Sequence, residues 1–560
     1  MSPVELLLSN LRKRAHVLWF LVFFFSTCCK LLLLHSRELW LDETYSAYVA
    51  NLPFRDLLRF TTGDVHPQLF SIVLWGWVHI AGDAQTRLRL FSVLVNICCL
   101  LAMFYLSKRV LGTEWGGFAA TLFAFSPLLL VYSLEVRSYM LFMFVFVCAL
   151  SVYWRAAVQE EGGNGLILVY SVLLALLFYI HYLAVFIGAG LFAYWALRPG
   201  FTRRRLSRIL AAAILTLLFV SPGIPLLLSQ RALKSQFDHR LQLSHSNPNT
   251  LSFASSGEDP ADKRGIPSLV RGTAVMAGFY PATSRLIFLL CAIPLACALA
   301  GVMFLGVAKR DEVCRLFLIL ALVLLGGVIG LHLSSARYLL FLIPVLALAL
   351  ARVIQYWTSS VRWHRIGLAA GVALVVIYCA GFARQATRPH GKPWQNLVHG
   401  IQSRYQPGDK VVFSALYSQV PFDYFAQHQS FIPQEAGFPI DIYTWWNMQK
   451  HRGWGGPVIT QSDLDRYVAG LSSSNTKTVW LVLYETYYDD PRNALLTRLS
   501  QSGQPEEVPL PADPDDPVSS QQDSHLRLIR IPLRVASRSE SDVHSWQALL
   551  QPTGESHHIH

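Results

Sequence analysis

Residues 67–81 read Pro67-Gln68-Leu69-Phe70-Ser71-Ile72-Val73-Leu74-Trp75-Gly76-Trp77-Val78-His79-Ile80-Ala81, an apolar stretch with no acid, lysine or arginine. The topology of the whole chain turns on it. Other apolar runs lie at roughly 17–34, 88–107, 116–133, 139–154, 166–180, 183–197, 209–229, 285–307, 315–333, 338–355 and 366–383. Runs of about 17–23 residues are long enough to cross a hydrocarbon core of ~30 Å as helices. If 67–81 does not cross, then Lys108/Arg109, Arg155, the run Arg198 to Arg208, Lys309/Arg310/Arg315 and Arg362/Arg365 all fall on the cytoplasmic side. If it crosses, every one of them moves outside, against the positive-inside bias. The stretch is therefore read as a re-entrant or interfacial helix inside a long external loop, residues 35–87. Pro67 suits the first turn of that helix. Chain held at membrane depth without spanning needs protein or water around it, so this loop is expected to line a cavity. About eleven spans result, with the N-terminus inside and the C-terminus outside.

The bulk composition agrees. The 560 residues are 53% hydrophobic and 15% charged, against about 25% charged in soluble chains. Mean hydropathy is +0.38 and the sequence pI about 9.3. The net charge of +12 sits in short loops between apolar runs, and no basic stripe interleaved with aromatics points to nucleic acid. Nine cysteines, none beyond Cys379, form neither a disulfide framework nor a CxxC zinc pair. The first run follows Arg12, Lys13 and Arg14 and precedes His35, Arg37 and Glu38 without a small-residue cleavage site, so it is expected to be an uncleaved span.

From Arg384 the composition becomes that of a soluble domain. Residues 384–535 read as a small extracytoplasmic α/β domain, behind a membrane module of residues 1–383. Its expected elements are helix Trp394–Tyr405, strand Lys410–Ser414, strand Thr478–Tyr484, helix Asp490–Ser502 and strand Leu526–Leu533. Residues 505–524 read as loop and 536–560 as a disordered polar tail.

The chemistry concentrates at external helix ends. Leu39-Trp40-Leu41-Asp42-Glu43-Thr44-Tyr45 places two acids at the membrane surface, where they are costly to desolvate. They fit a general base, a divalent-metal ligand, or a solvated pair at a helix start. In Gly63-Asp64-Val65-His66-Pro67, His66 stands at a helix N-terminus, as a phosphate donor or a capping side chain. Arg87 and Arg89 lie outside against the charge bias, in phosphate contact or snorkelling. Tyr132-Ser133-Leu134-Glu135-Val136-Arg137-Ser138-Tyr139 adds Glu135, Arg137 and Tyr139, with acid and base either neutralising one another or lining the cavity. His181-Tyr182 extends that lining, and Arg337-Tyr338 brings a guanidinium of the kind that clamps a lipid phosphate. The chain lacks a Walker loop, a GxSxG elbow, an HExxH pair and a dinucleotide fingerprint.

The order LDE, DVHPQLF, RLRLFSVL, SPLLLVYSLEVRSYML, HYLAVF and RYLLFLIPVLALALA resembles the GT-C class of membrane glycosyltransferases over roughly residues 15–385. It is most similar to bacterial family-39-like relatives of protein O-mannosyltransferases and of the transferases that add aminoarabinose or galacturonic acid to lipid A and its core. By that resemblance Asp42 matches the catalytic acid of the external loop and Glu43 the acid after it. His66 and Pro67 match the start of an HPP motif in which Gln68 replaces the second proline. Glu135, Arg137 and Tyr139 match an SxEARxY-type segment with Val136 in place of alanine, and Arg337 and Tyr338 match the late RY. The resemblance implies a polyprenyl-phosphate-linked sugar as donor. It also implies transfer on the extracytoplasmic face of a bacterial inner membrane. The expected mechanism is one inverting displacement, with Asp42 as base. Donor phosphate and lipid are expected at His66, Arg87, Arg89, Arg137, Tyr139, His181, Tyr182, Arg337 and Tyr338. Asp42, Glu43 and Glu135 are the expected catalytic acids. A divalent metal on Asp42 and Glu43 stays open, as does the acceptor: a lipid, a glycan or a protein. A flippase for a lipid-linked saccharide is the non-enzymatic alternative. An O-antigen ligase or polymerase is a second, because the external loop 230–284 carries Arg231, Lys234, His239, Arg240 and His245.

Overall fold

A computed structural model describes residues 15–200, 202–245, 285–331, 336–387, 393–448, 457, 459–484, 486, 490, 493–511 and 526–533. The expected disordered tail 536–560 and most of the loop 230–284 lie outside these. Among the described residues, six helices are long and apolar enough to cross a membrane: Gln85–Leu111, Tyr139–Val158, Arg203–Gln236, Glu312–Gly330, Arg337–Ser359 and His364–Thr387. A seventh span forms if Thr113–Ala124 and Pro127–Ser133, bent by 60°, count as one. The bend has a local cause. Pro127 opens the second piece at its first turn, behind Ser126, whose Oγ accepts from the Leu129 amide at 3.5 Å. Shorter apolar helices are Trp19–His35, Leu69–Ala81, Asn164–Ile180, Ala184–Leu197 and Ala292–Ala308. The stretch expected as one helix over 209–229 is Arg203–Val220, interrupted by a 3₁₀ turn at Ser221–Gly223 around Pro222, then Ile224–His245.

The helix Ile343–Ser359 is the centre of the bundle. Val345 to Ala351 are all buried, and Ala347, Ala349 and Ala351 let neighbouring backbones approach closely. At the periphery, Ile214, Leu217 and Leu218 are exposed on helix Arg203–Val220, an apolar outward face that suits lipid. The basic loops gather at one end of the bundle, held by acids. Arg109 and Arg155 pair with Glu161, Arg205 with Glu160 at 2.8 Å, Arg198 with Glu312 at 3.0 Å, and Arg352 with Asp311 at 2.7 Å.

Helix Leu69–Ala81 has 13 residues and rises only about 20 Å, less than a hydrocarbon core. Phe70, Leu74 and Val78, four residues apart, form its buried face. Gly82 stops it at φ 85°, its amide bonding to Val78 O at 2.7 Å. The helix starts two residues after Pro67 rather than at it, with Gln68 as its N-cap.

The C-terminal part carries a five-stranded sheet of order β2-β1-β3-β5-β4: β1 Lys410–Ser414, β2 Glu435–Gly437, β3 Thr478–Leu483, β4 Glu506–Val508 and β5 Arg527–Pro532. β1 runs parallel to β2 and β3, while β5 is antiparallel to β3 and β4. β3 is buried at every position, as a strand covered on both faces must be. Val412, Val479, Leu481 and Ile529 pack on one face with Leu464 and Val468 of helix Gln461–Ser473. Val411, Phe413, Trp480, Val482 and Leu528 face the other way. There they share one apolar core with Trp394, Phe422 and Phe425, and with Leu39, Ala47, Phe70, Leu74 and Val78 of the first loop. Hydrogen bonds stitch the same seam: Gln395 N to Glu38 Oε2 at 3.0 Å, and Tyr424 OH to Asp83 O at 2.9 Å.

Details of this part differ from expectation. Helix Trp394–Gln402 ends three residues before Tyr405. Helix Ala494–Ser500 starts later than Asp490, whose carboxylate instead accepts from the amides of Ala494 and Leu495 at 2.7 and 3.0 Å. Glu506–Val508, expected as loop, is an edge strand.

Candidate active site

Helix Leu41–Asn51 begins where the chain turns from extended at Trp40. Glu43, in its first turn, reaches back to the Trp40 amide at 3.2 Å. Its carboxylate also accepts from the Val136 amide at 2.9 Å and pairs with Arg89 at 3.1 Å, with Glu43 1% and Arg89 2% exposed. Arg89 further donates to the carbonyls of Arg37 and Glu38. This buried pair ties the first loop, the start of helix Gln85–Leu111 and the turn before Tyr139 into one frame. Glu43 and Arg89, expected at the site, thus lie off the cavity lining and hold the frame around it. The expected Asp42–Glu43 metal pair does not fit either, because Glu43 is fully engaged. Among the described residues, no group of three or more His, Cys, Asp or Glu is placed to hold a metal ion.

Asp42, one residue earlier and about 100° round the helix, faces a cavity of about 270 Å³. Asp64, His66, Arg137, Arg337 and Tyr45 line it with Asp42. Arg137 lies 3.5 Å from the Asp42 carboxylate and 3.4 Å from Asp42 O and Ser46 Oγ. Charge-assisted bonds run about 2.7–2.9 Å, so this guanidinium is held loosely. Arg337 is hydrogen-bonded to Tyr139, whose ring packs edge-on against Tyr132 at 4.8 Å.

Asp64 is the residue that sequence reasoning passed over. It accepts from the Val65 and His66 amides at 2.6 and 3.3 Å and from Tyr45 OH at 3.1 Å. Burial raises its carboxyl above the ordinary range, against the pull of Arg137 and of those hydrogen bonds. An Asx-type turn two residues before His66 was the available signal. Tyr45, Phe60, Tyr417, Val420 and Trp446 also line the cavity, the last three from the C-terminal part.

Burial and the nearby Arg137 push His66 down to about 3, so at neutral pH it is an uncharged donor or acceptor. Its ring lies 5.4 Å from that of His181, which burial and His66 likewise hold well below the usual histidine value. Tyr182 OH donates to Gln230 Oε1 at 2.6 Å, and Gln230 Nε2 donates to His66 O at 3.2 Å, so Tyr182 braces the His66 turn. Tyr338 packs beside His181 at 6.4 Å. Glu135 stands off the lining. Burial first, then Glu43, raises it to about 8, and its Oε2 has no hydrogen-bond partner among the described residues. Arg87 is exposed, donates to Ala81 O at 3.0 Å and lies off the cavity lining.

The arrangement sets two carboxylates and the neutral His66 against two guanidiniums in one cavity, with His181 behind His66, at the helix ends opposite the basic loops. Residues 65–225 match the family described as dolichyl-phosphate-mannose-protein mannosyltransferase. The crystal structure of ArnT from Cupriavidus metallidurans bound to undecaprenyl phosphate superposes with a TM-score of 0.54 at 12% identity, over 95% of this chain and 100% of that one. The apo form of the same protein gives 0.55 at 13% identity, over 93% and 98%. The chain has the fold of the GT-C membrane glycosyltransferases. An apo oligosaccharyltransferase from Archaeoglobus fulgidus shares this GT-C fold more distantly, with a TM-score of 0.51 at 12% identity over 92% of this chain and 76% of that one. No curated protein sequence matches the chain.

Proposed function

We propose that this protein transfers a sugar from a polyprenyl-phosphate-linked donor to an acceptor hydroxyl. In this reading it works on the extracytoplasmic face of a bacterial inner membrane. The observation that carries the reading is the cavity itself, where Asp42 and Asp64 face Arg137 and Arg337 within a GT-C fold. The donor phosphate takes the loosely held Arg137 together with Arg337, with His66 as a neutral hydrogen-bond donor. Asp42 accepts the proton of the acceptor O–H while that oxygen bonds to the anomeric carbon. The bond from that carbon to phosphate oxygen breaks, and the electron pair leaves with polyprenyl phosphate. One displacement from the opposite side inverts the anomeric centre. Arginines at the departing phosphate stabilise the charge that develops there. No step requires a metal. Residues 1–383 carry the charged groups of the cavity and eleven spans, and the sheet-bearing part 384–535 completes its wall from outside.

Asp42→Asn is the decisive variant. Loss of a positioned base removes about 10²–10⁴-fold in rate. Release of polyprenyl phosphate from a polyprenyl-phosphate hexose should fall by that amount while donor binding holds. Normal turnover in this variant would sink the assignment.

A further inference from the structure

The cavity wall is built from two distant parts of the chain. The charged residues come from the helix bundle and first loop, whereas Tyr417, Val420 and Trp446 come from the C-terminal part. Trp446 is half-buried at the end of helix Ile442–Met448. Its ring lies 4.9 Å from Phe60, 5.3 Å from Tyr48 and 6.1 Å from Tyr45. The short helix is fixed from behind. Tyr443 OH donates to Asp423 Oδ2 at 2.6 Å, its ring packs on Tyr48 at 5.3 Å, and the Ile442 amide donates to Gln419 Oε1 at 3.2 Å. The C-terminal part therefore presents a supported aromatic surface to the catalytic carboxylates.

The chemistry of this surface selects among acceptors. Its three residues carry no charge, so an acceptor phosphate would find no cation there; both cavity arginines lie on the bundle side. A peptide acceptor held by backbone pairing needs an exposed strand edge. Here every lining residue sits on a helix or turn and none on a strand. A sugar ring fits both halves. Its C–H faces lie against aromatic rings, and its rim hydroxyls reach carboxylates. Apolar lining with few convergent polar groups is the general pattern of such pockets.

We propose that Tyr417 and Trp446 form the acceptor subsite and that the acceptor is a saccharide presenting a ring hydroxyl to Asp42. This rests on the glycosyltransferase reading above and adds the substrate class. The C-terminal part is then a component of the active site.

The test uses full-length protein in nanodiscs loaded with polyprenyl phosphate. Saturation-transfer NMR is recorded with methyl α-mannopyranoside, methyl β-glucopyranoside, methyl β-galactopyranoside and methyl α-arabinofuranoside, and with a Ser/Thr-containing tripeptide. At least one glycoside should bind through its ring C–H protons, and the peptide should not. Trp446→Ala and Tyr417→Ala should each weaken that glycoside about tenfold, and Trp446→Phe, which keeps an aromatic face, by no more than about threefold. Peptide binding alone, binding of no glycoside, or glycoside affinity unmoved in both alanine variants overturns the proposal. Polyprenyl phosphate release by Asp42→Asn, run in parallel, separates the two ideas. If that variant is inactive while glycoside binding ignores Tyr417 and Trp446, only the acceptor assignment falls.

Discussion

Asp42 and Glu43 are neighbours in sequence, but an α-helix turns about 100° per residue, so one faces the cavity and the other the frame. The same division separates the arginines. Arg137 makes three contacts of 3.4–3.5 Å and Arg337 faces the cavity, whereas Arg89 is spent on Glu43. Hydrogen bonds to charged groups contribute about 1.5–3 kcal/mol each, so Arg137→Ala and Arg337→Ala should each weaken polyprenyl-phosphate binding roughly tenfold to a hundredfold. Arg87→Ala should leave it unchanged in the same titration. Arg89→Ala should act on folding instead, since it strands a buried carboxylate at a cost of about 3–5 kcal/mol, read as a lower Tm. Glu135 supplies a pH signature. Its folded value of about 8 lies above that of an unfolded chain, about 4.3, so between these values the folded state binds more protons. Stability from this group is complete below the unfolded value and is lost as pH rises towards 8. Tm should fall across that window, and Glu135→Gln should flatten the slope; an unchanged slope would remove Glu135 as its source. Charge sign and helix-end position made Asp42, His66, Arg137 and Arg337 legible in the sequence. They did not reveal which face of a helix each residue takes. That is why Glu43, Arg87 and Arg89 stood beside them as candidates and Asp64 did not.

At the scale of elements, length and period carried most of the information. Thirteen residues between Gln68 and Gly82 set a short helix, and Phe70, Leu74 and Val78 mark the face that anchors it. Leu74 is fully buried in the core shared with Trp480 and Phe422. Leu74→Ala should therefore cost about 2–5 kcal/mol, while Ile80→Ser, at a position 86% exposed, should leave Tm in detergent nearly unmoved. Equal effects would contradict the orientation of this helix. Strands β1 and β3 were readable from β-branched and aromatic content. Helix Gln419–His428 was not, because Pro421 reads as a breaker although it sits in the first turn, where its missing N–H costs nothing. β2 has three residues, too few for alternation to register. The aromatic helix Ile442–Met448 has no period of its own. Its place follows from Tyr45, Tyr48 and Phe60, nearly four hundred residues away in sequence.

For the whole molecule, two long-range facts work together. The basic loops close one end of the bundle through Glu160, Glu161, Asp311 and Glu312, and the C-terminal sheet closes the other through the core it shares with the first loop. The sheet therefore lies on the cavity side, whatever the orientation in the membrane. On the proposed reading, in which Leu69–Ala81 does not cross, charge bias puts the basic end in the cytoplasm and the sheet outside. Two exposed positions test this, Ser473 on helix Gln461–Ser473 and Arg362 in the turn before His364. In a cysteine-free background, Ser473→Cys should react with a membrane-impermeant maleimide in intact spheroplasts, and Arg362→Cys only after permeabilisation. The reverse pattern would mean that the short helix crosses, or that the bundle is inserted the other way. An inverted bundle would put Asp42 in the cytoplasm, and a crossing helix would part Asp42 from the sheet-bearing part that shares its cavity; the proposed extracytoplasmic site survives neither.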